Sequence, residues 1–361
     1  MCKYDINLLR KLDRIHPYPA KFIIDMALHY ISNYSKQGDI VLDPFCGSGT
    51  TLLASRILKR NAIGFDINYI AYILSQSKIL YLNVNDLKYL KEFQPDSSYI
   101  ANILHNYDNI SHWFERQSIE SLSSIKEQIN NFVENNHSYK IFLYMVFSSI
   151  INIASNQDSD TRYAAIKKPH INKSFIFDKF NEKLHQSIAL YENLNLNLND
   201  NHCAMFLHNS KTLTKKFNSE VSLILTSPPY PNTYDYYLYH KHRMLWLDFN
   251  VKFSMDNEIG SRREYSSLKL PKEKFNKDLF EIFFECNKIL KRHGFVVIIM
   301  GDGKIAGKIY HAKDELVSLC EVFQWKLIKH SYSELDKTSR SFSSAFRTKN
   351  KKEHILIFQK A

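Results

Sequence analysis

A hydroxyl, two consecutive prolines and an aromatic ring follow one another at Ser227, Pro228, Pro229 and Tyr230. The apolar run Val221-Ser222-Leu223-Ile224-Leu225 leads into them and reads as a buried parallel strand. Each proline fixes its own φ, and Pro229 also forces Pro228 into an extended shape, so the strand must stop there. The group therefore sits just past the carboxyl end of a strand, the edge where open α/β sheets bind ligands. The chemistry it suggests is methylation of an exocyclic amine on a nucleobase. Such an amine is a poor nucleophile, because its lone pair is delocalised into the ring. Ser227 Oγ and the Pro228 carbonyl could accept its two hydrogens and favour a pyramidal nitrogen. The Tyr230 ring could stack on a base swung out of its helix. A plain strand ending in a Pro-Pro turn with a surface tyrosine would also read this way.

A second group lies far upstream. Ile40-Val41-Leu42 reads as a strand that runs into Asp43-Pro44-Phe45-Cys46-Gly47-Ser48-Gly49-Thr50, with a helix expected from about Thr50 to Leu58. The two glycines let backbone pass close to a ligand where a Cβ would collide. The helix start offers free N–H groups to a carboxylate or phosphate. No Gly-Lys-Ser/Thr ending is present, so the loop is not a P-loop, and the third glycine of the dinucleotide fingerprint is missing. Asn61-Ala62-Ile63-Gly64-Phe65-Asp66 then reads as a second strand ending in an acid placed to bind the two hydroxyls of a ribose. The ordered series strand, Gly-x-Gly, helix, strand and acid points to a nucleoside cofactor.

Together, Asp43 to Thr50 and Thr226-Ser227-Pro228-Pro229-Tyr230 resemble the amino-methylating DNA methyltransferases that use S-adenosylmethionine. The serine form of the second motif resembles the cytosine-N4 branch; the adenine-N6 branch more often carries Asp or Asn there. His16-Pro17-Tyr18-Pro19-Ala20-Lys21-Phe22 is similar to a further cofactor motif that precedes the Gly-rich loop in some of these enzymes. The resemblance covers about residues 14–80 and 200–361. It implies a Rossmann-like methyltransferase fold, an α/β mostly parallel doubly wound sheet with a helical insertion. It also implies that Phe45, Cys46, Gly47, Ser48, Gly49 and Thr50, with Asp43, hold the methionine part of S-adenosylmethionine. Asp66 would hold the ribose, while Pro19, Lys21 and Phe22 wall the methionine side. Cys203-Ala204-Met205-Phe206 reads as a third strand, followed by Asn209 where the family usually has an Asp against the adenine ring. An Asn can still accept from an amino group through its carbonyl oxygen, so the departure bears on cofactor affinity.

The remaining chain must position these groups. Residues 1–85 are expected to form the cofactor-binding part of the core, 86–199 a helical insertion suited to target recognition, and 200–361 the catalytic part. In the insertion, Trp113 to Phe132, Tyr139 to Ala154 and Phe175 to Leu194 show helical spacing. Ser155 to Lys173 reads as a polar loop able to touch DNA phosphates, and the Asn/Leu repeat from 193 to 199 as a linker. Pro19 is expected in the first turn of the helix that carries Phe22 to Tyr30. Tyr239 to Leu247 reads as a basic helix, with Gly260-Ser261-Arg262-Arg263 as a second basic spot. Lys337 to Lys352, with Arg340, Arg347, Lys349, Lys351 and Lys352, reads as a basic rim facing DNA. Strands are expected at 294–300, 325–328 and 354–358.

Composition narrows the partners. The chain has 361 residues, 44% of them hydrophobic, and a formal net charge of +11, which favours a polyanion. Its five cysteines, Cys2, Cys46, Cys203, Cys286 and Cys320, are scattered without a CxxC pair, which argues against disulfides or a zinc site and fits a reducing cytoplasm. No signal peptide and no membrane-length apolar run are read in it. No cysteine follows a proline directly, so the covalent route of carbon-5 cytosine methylation is not expected. The expected partner is double-stranded DNA with base flipping, and no metal; the resemblance leaves room for a cognate restriction endonuclease. Adenine-N6 methylation, a silent DNA-binding subunit and methylation of an RNA amine stay open as alternatives.

Overall fold

The computed structural model describes residues 5–19, 21–102, 107–194, 202–334 and 351–361. Its centre is a seven-stranded sheet. The strands, with two small hairpins interleaved, are β1 (Ile40–Asp43), β2 (Asn61–Asp66), β3 (Gln157–Ser159), β4 (Arg162–Ala165), β5 (Cys203–Leu207), β6 (Val221–Thr226), β7 (Leu290–Gly301), β8 (Gly303–Ile305), β9 (Lys308–Tyr310), β10 (Trp325–Glu334) and β11 (Lys352–Lys360). The sheet order is β10-β11-β7-β6-β1-β2-β5. Neighbours run parallel, except that β11 is antiparallel to both β7 and β10. β3 pairs with β4, and β8 with β9, as separate hairpins.

The order reverses between β1 and β6. From β1 the chain moves to β2 and then β5 on one side, while β6 and β7 build outward on the other. Their register puts Val41 against Leu223 and Leu42 against Ile224, so Asp43 and Thr226 end side by side. A crevice opens outside the carboxyl ends of strands at such a reversal. Every residue of β6 is buried, which is why this strand reads as a continuous apolar run.

Helices cover both faces. On one side lie α1 (Ile6–Asp13), α2 (Ile24–Tyr34), α3 (Thr50–Ile57), α4 (Tyr69–Ile79), α5 (Val84–Glu92), α6 (Ile110–Trp113), α7 (Arg116–Val133), α8 (His137–Ile151) and α9 (Lys173–Leu194). After β6 come α10 (Tyr236–Tyr239), α11 (Lys241–Trp246), α12 (Val251–Asn257), α13 (Lys272–Ile289) and α14 (Ala312–Glu321). Alternate residues along a strand point to opposite faces, and two cores follow. Val41, Leu223, Leu225, Val297 and Ile299 join α1–α9 and α11 in one cluster. Leu42, Ile224, Val296, Ile298 and Met300 join α13 and α14 in the other. The helices between β2 and β5 therefore bury their apolar faces in the same core as one face of the sheet.

Several expectations change here. Pro19 does not begin a helix: residues 21–23 are non-helical and α2 starts at Ile24, with Ile23 extended at its cap. The Lys21 side chain turns back to Asp13, which keeps this stretch off the helix. The polar stretch after Ser155 contains the β3–β4 hairpin. Its Asp160 pairs with Arg243 of α11 at 2.5 Å, and Arg243 is buried. His240 and His242 are buried too, so α11 does not present a basic face. Lys351 is buried rather than on a rim, and the Lys352 ammonium sits over the Tyr332 ring at 4.1 Å. β10 and β11 extend beyond the expected 325–328 and 354–358 because they pair with each other along nearly their whole length. Cys2, Ala20, the repeat from 195 to 199 and the basic residues Arg340, Arg347 and Lys349 lie outside the described residues. No described helix is long and apolar enough to cross a membrane.

Candidate active site

The loop after β1 is shaped by what surrounds it. Gly47 and Gly49 adopt φ of +51° and +82°, the left-handed region that disfavours side chains. A Cβ on Gly49 would come within 2.7 Å of the Ser75 backbone of α4, and one on Gly47 within 3.3 Å of the Tyr18 ring. The glycines thus let α3 pack on α4 and let Tyr18 close over the loop. Asp43 lies beneath. Its carboxylate accepts from Phe45 N (3.1 Å), Thr51 Oγ1 (2.6 Å) and Thr226 Oγ1 (2.7 Å). Burial pushes its pKa up to about 6 despite these donors. It ties the loop, α3 and the end of β6 together.

Asp66, at the end of β2, accepts from Gly47 N at 2.9 Å and Asn68 N at 2.8 Å. Burial raises it to about 6. The Ile67 backbone adds a third donor to the same carboxylate, whose two oxygens have four lone pairs between them. The N-terminal segment is anchored by Asp13 at the end of α1. That carboxylate meets Lys21 Nζ and Lys78 Nζ, each at 2.9 Å, and Thr50 Oγ1 at 2.8 Å. Burial opposes its charge, but the two ammonium groups hold it down to about 2. Lys21 itself falls to about 7, through burial and the nearby Lys78.

The other wall comes from residues after β6. Glu258 follows α12 and accepts from the backbone of Tyr236 (2.7 Å) and Tyr237 (2.9 Å). Burial raises it to about 8. The Tyr18 ring stacks on Tyr236 at 6.0 Å and on His240 at 5.0 Å. Tyr230 is half-buried, and its hydroxyl donates to Glu353 of β11 at 2.6 Å.

These elements enclose one cleft with about 900 Å³ of non-protein space, its mouth included. That is the size range of a small-molecule or cofactor site. Of the residues singled out from the sequence, Lys21, Phe22, Phe45, Cys46, Gly47, Ser48, Thr50, Asp66, Asn209, Ser227 and Pro229 line it. Pro19, Asp43, Gly49, Pro228 and Tyr230 do not line it. Asp43 and Gly49 are used for packing beneath the loop, Tyr18 occupies the wall next to Pro19, and Tyr230 is drawn toward Glu353. The Asn209 side chain is already engaged: it accepts from Lys211 N at 3.0 Å and donates to Asn257 Oδ1 at 2.9 Å. The cleft also takes in Tyr18, Asn68, Tyr236, Asn257 and Glu258, which sequence reasoning did not assign. Tyr18 stands inside the motif from His16 to Phe22; nothing local marks Glu258.

Residues 4–78 and 221–361 match the family described as DNA methylase, the N6/N4 methyltransferases. The chain belongs to this DNA methylase family. A Type II methyltransferase, M.MvaI of Kocuria varians, is 27% identical over 66% of this chain and 58% of its own length. A second, M.MjaII of Methanocaldococcus jannaschii, is 36% identical over 20% of this chain and 14% of its own. The chain thus spans less than two thirds of these relatives. Among solved structures, TrmN from Thermus thermophilus has a TM-score of 0.39 and 10% identity, over 98% of this chain and 53% of that one.

S-adenosylmethionine is the methyl donor of the DNA methylase family, and the cleft fits it. Asp66 and Glu258 offer acceptors for hydroxyl groups, and Lys21 a cation for a carboxylate. Asn68 Nδ2 is a buried donor on the cleft wall with no partner among the described residues. Phe22, Pro44, Phe45 and Ile67 supply apolar walls for the remainder. Among the described residues no group of three or more His, Cys, Asp or Glu could hold a metal ion.

Proposed function

We propose that this chain is a site-specific DNA methyltransferase that methylates the exocyclic N4 amine of cytosine, in the setting of a restriction system. One observation carries the reading: Ser227 and Pro229 of the turn share a single cleft with Phe45, Cys46, Gly47, Ser48 and Thr50 of the Gly-rich loop. When bound, S-adenosylmethionine supplies an electrophilic methyl group. The Gly-rich loop, Phe22 and Lys21 would seat its amino-acid end, and Asp66 with Glu258 would take its ribose hydroxyls. The target base must leave the duplex to reach the cleft. Ser227 Oγ on the cleft wall, with the Pro228 carbonyl next to it in the chain, would accept the two amine hydrogens and favour a pyramidal nitrogen. Tyr230, braced by Glu353, offers its ring to the extruded base. The apolar walls would keep bulk water from the methyl group; the sulfur–methyl bond would break as the nitrogen–methyl bond forms, and Ser227 Oγ would relay the nitrogen's surplus proton toward solvent rather than keep it. Serine in place of Asp or Asn supports cytosine over adenine, and the Type II methyltransferase names of the relatives support site-specific action.

Mass spectrometry of nucleosides tests this directly. DNA of diverse sequence is incubated with the chain and isotopically labelled S-adenosylmethionine. Labelled N4-methylcytosine is the expected product. Labelled N6-methyladenine would overturn the target base and leave the chemistry. No labelled nucleoside in DNA, with label in RNA instead, would overturn the DNA reading.

A further inference from the structure

A second concave surface runs away from the cleft. Between α1 and α9, a groove is lined by Arg10, Lys11, Arg14, Lys183 and Gln186, with apolar residues at its floor and no acid. A neighbouring hollow shares Arg14, Ile15 and Lys183 and continues to Tyr18 and Lys21. Tyr18 and Lys21 also line the cofactor cleft. The two hollows and the cleft thus lie next to one another, with Tyr18 as the partition.

The two hollows are positively charged and only partly neutralised from within. Arg10 pairs with Asp25 at 2.7 Å. The acid of the second hollow, Asp160, is committed to Arg243 and to Asn152. Lys11 and Arg14 are exposed and join no ion pair among the described residues. Lys183 donates to the neutral Gln186 at 3.4 Å and feels the neighbouring Glu182, but joins no ion pair among the described residues. Clustered like charges repel, and a polyanion that draws several cations at once relieves that repulsion and releases its own counterions.

We propose that the α1–α9 groove, through Lys11, Arg14 and Lys183, holds the phosphodiester backbone of DNA flanking the target base. This deepens the function proposed above and rests on it. The groove lies apart from both sequence motifs, and its cations come from a helix before the first motif and a helix between β2 and β5. A phosphate run laid along it ends at the partition beside the cleft. Contacts of this kind position a duplex without reading its sequence.

The test is the salt dependence of duplex binding. A fluorescent duplex is titrated with the wild-type chain and with the triple variant Lys11→Gln, Arg14→Gln, Lys183→Gln over a range of salt. A control triple, Lys36→Gln, Lys59→Gln, Arg292→Gln, removes equal charge at the amino ends of the strands, the edge opposite the cleft. For the groove triple, the slope of log affinity against log salt should flatten by roughly 2–3, at about 0.9 for each phosphate no longer neutralised. Affinity should fall at least about tenfold, while S-adenosylmethionine affinity stays at the wild-type value and shows the fold intact. The control triple should keep the wild-type slope. A wild-type slope in the groove triple overturns the proposal and leaves the methyltransferase reading standing. So does equal flattening in both triples, which means diffuse charge. A groove triple weakened equally for inorganic tripolyphosphate and for duplex overturns it in favour of a small polyanion site. A wild-type chain that methylates no DNA and binds no duplex overturns both.

Discussion

The wall of the cleft built from residues 43–75 and the wall built from residues 226–264 are held in different ways. The first is fastened close to home. Cys46 N donates to Phe65 O, Gly47 N to Asp66 and Ser75 Oγ to Gly47 O, so strand, loop, strand and helix lock one another within a short stretch of chain. The second is fastened from afar. Thr226 is pinned by Asp43 and Tyr230 by Glu353, 183 and 123 residues away, while the tie from Glu258 to the backbone at Tyr236 and Tyr237 is as short in sequence as those of the first wall. A locally closed wall can be set before any partner binds. A wall braced by remote side chains responds to changes far from the cleft in sequence.

Breaking the joint between the walls should have the largest effect. Asp43→Ala removes a buried acceptor from three donors, and about 3 kcal/mol of stability should be lost in denaturant unfolding. A loss below about 1 kcal/mol would mean that the walls stand independently. On the local wall, Asp66→Ala should weaken S-adenosylmethionine binding by about 1.5–3 kcal/mol and also cost about 1–2 kcal/mol of stability, since Gly47 N and Asn68 N lose their acceptor; calorimetric titration and denaturant unfolding measure the two. On the remote wall, Tyr230→Ala should cost about 1–3 kcal/mol of base stacking and most turnover, with cofactor affinity unchanged. Glu353→Gln should cost less, about 1 kcal/mol, because the amide still accepts from the Tyr230 hydroxyl without charge. Cofactor loss in either variant would erase the distinction between the walls.

Glu258 sharpens the contrast through pH. Its folded pKa of about 8 lies above the ordinary glutamate value of about 4.3. Between those values the folded state holds a proton that the unfolded state has lost. The favourable contribution is therefore complete below pH ~4.3 and is lost as pH rises to ~8. The Tm of the wild-type chain should fall relative to Glu258→Gln from pH 5 to pH 8. Parallel profiles would mean that Glu258 is ionised throughout.

The difference between the walls also decides what could be read from the chain. The strand from Ile40, the paired glycines, the helix from Thr50 and the acid at 66 follow from local pattern, and the fold places them as expected. The partners of Asp43 are only partly local, since Thr226 lies 183 residues away, and no periodicity reports such a bond. Glu258 looks like any acid after a short polar helix until folding buries it. Arg243 and His242 gave a helix that read as basic. Burial was decided by α8 and the β3–β4 hairpin, and the hairpin itself was hidden in a polar stretch that read as loop. The Pro19 helix start failed because an ion pair to Asp13, not backbone propensity, sets the path of Lys21.

The shared core on the α1–α9 side has a consequence for any exchange of its helices. Ile125, Phe142 and Phe180 from the helices between β2 and β5 sit in one continuous cluster with Val41, Leu223 and Val297 of the sheet. A segment bound to its host in this way is not a cassette. Exchanging it for a segment of another protein would open the hydrophobic interior of the recipient.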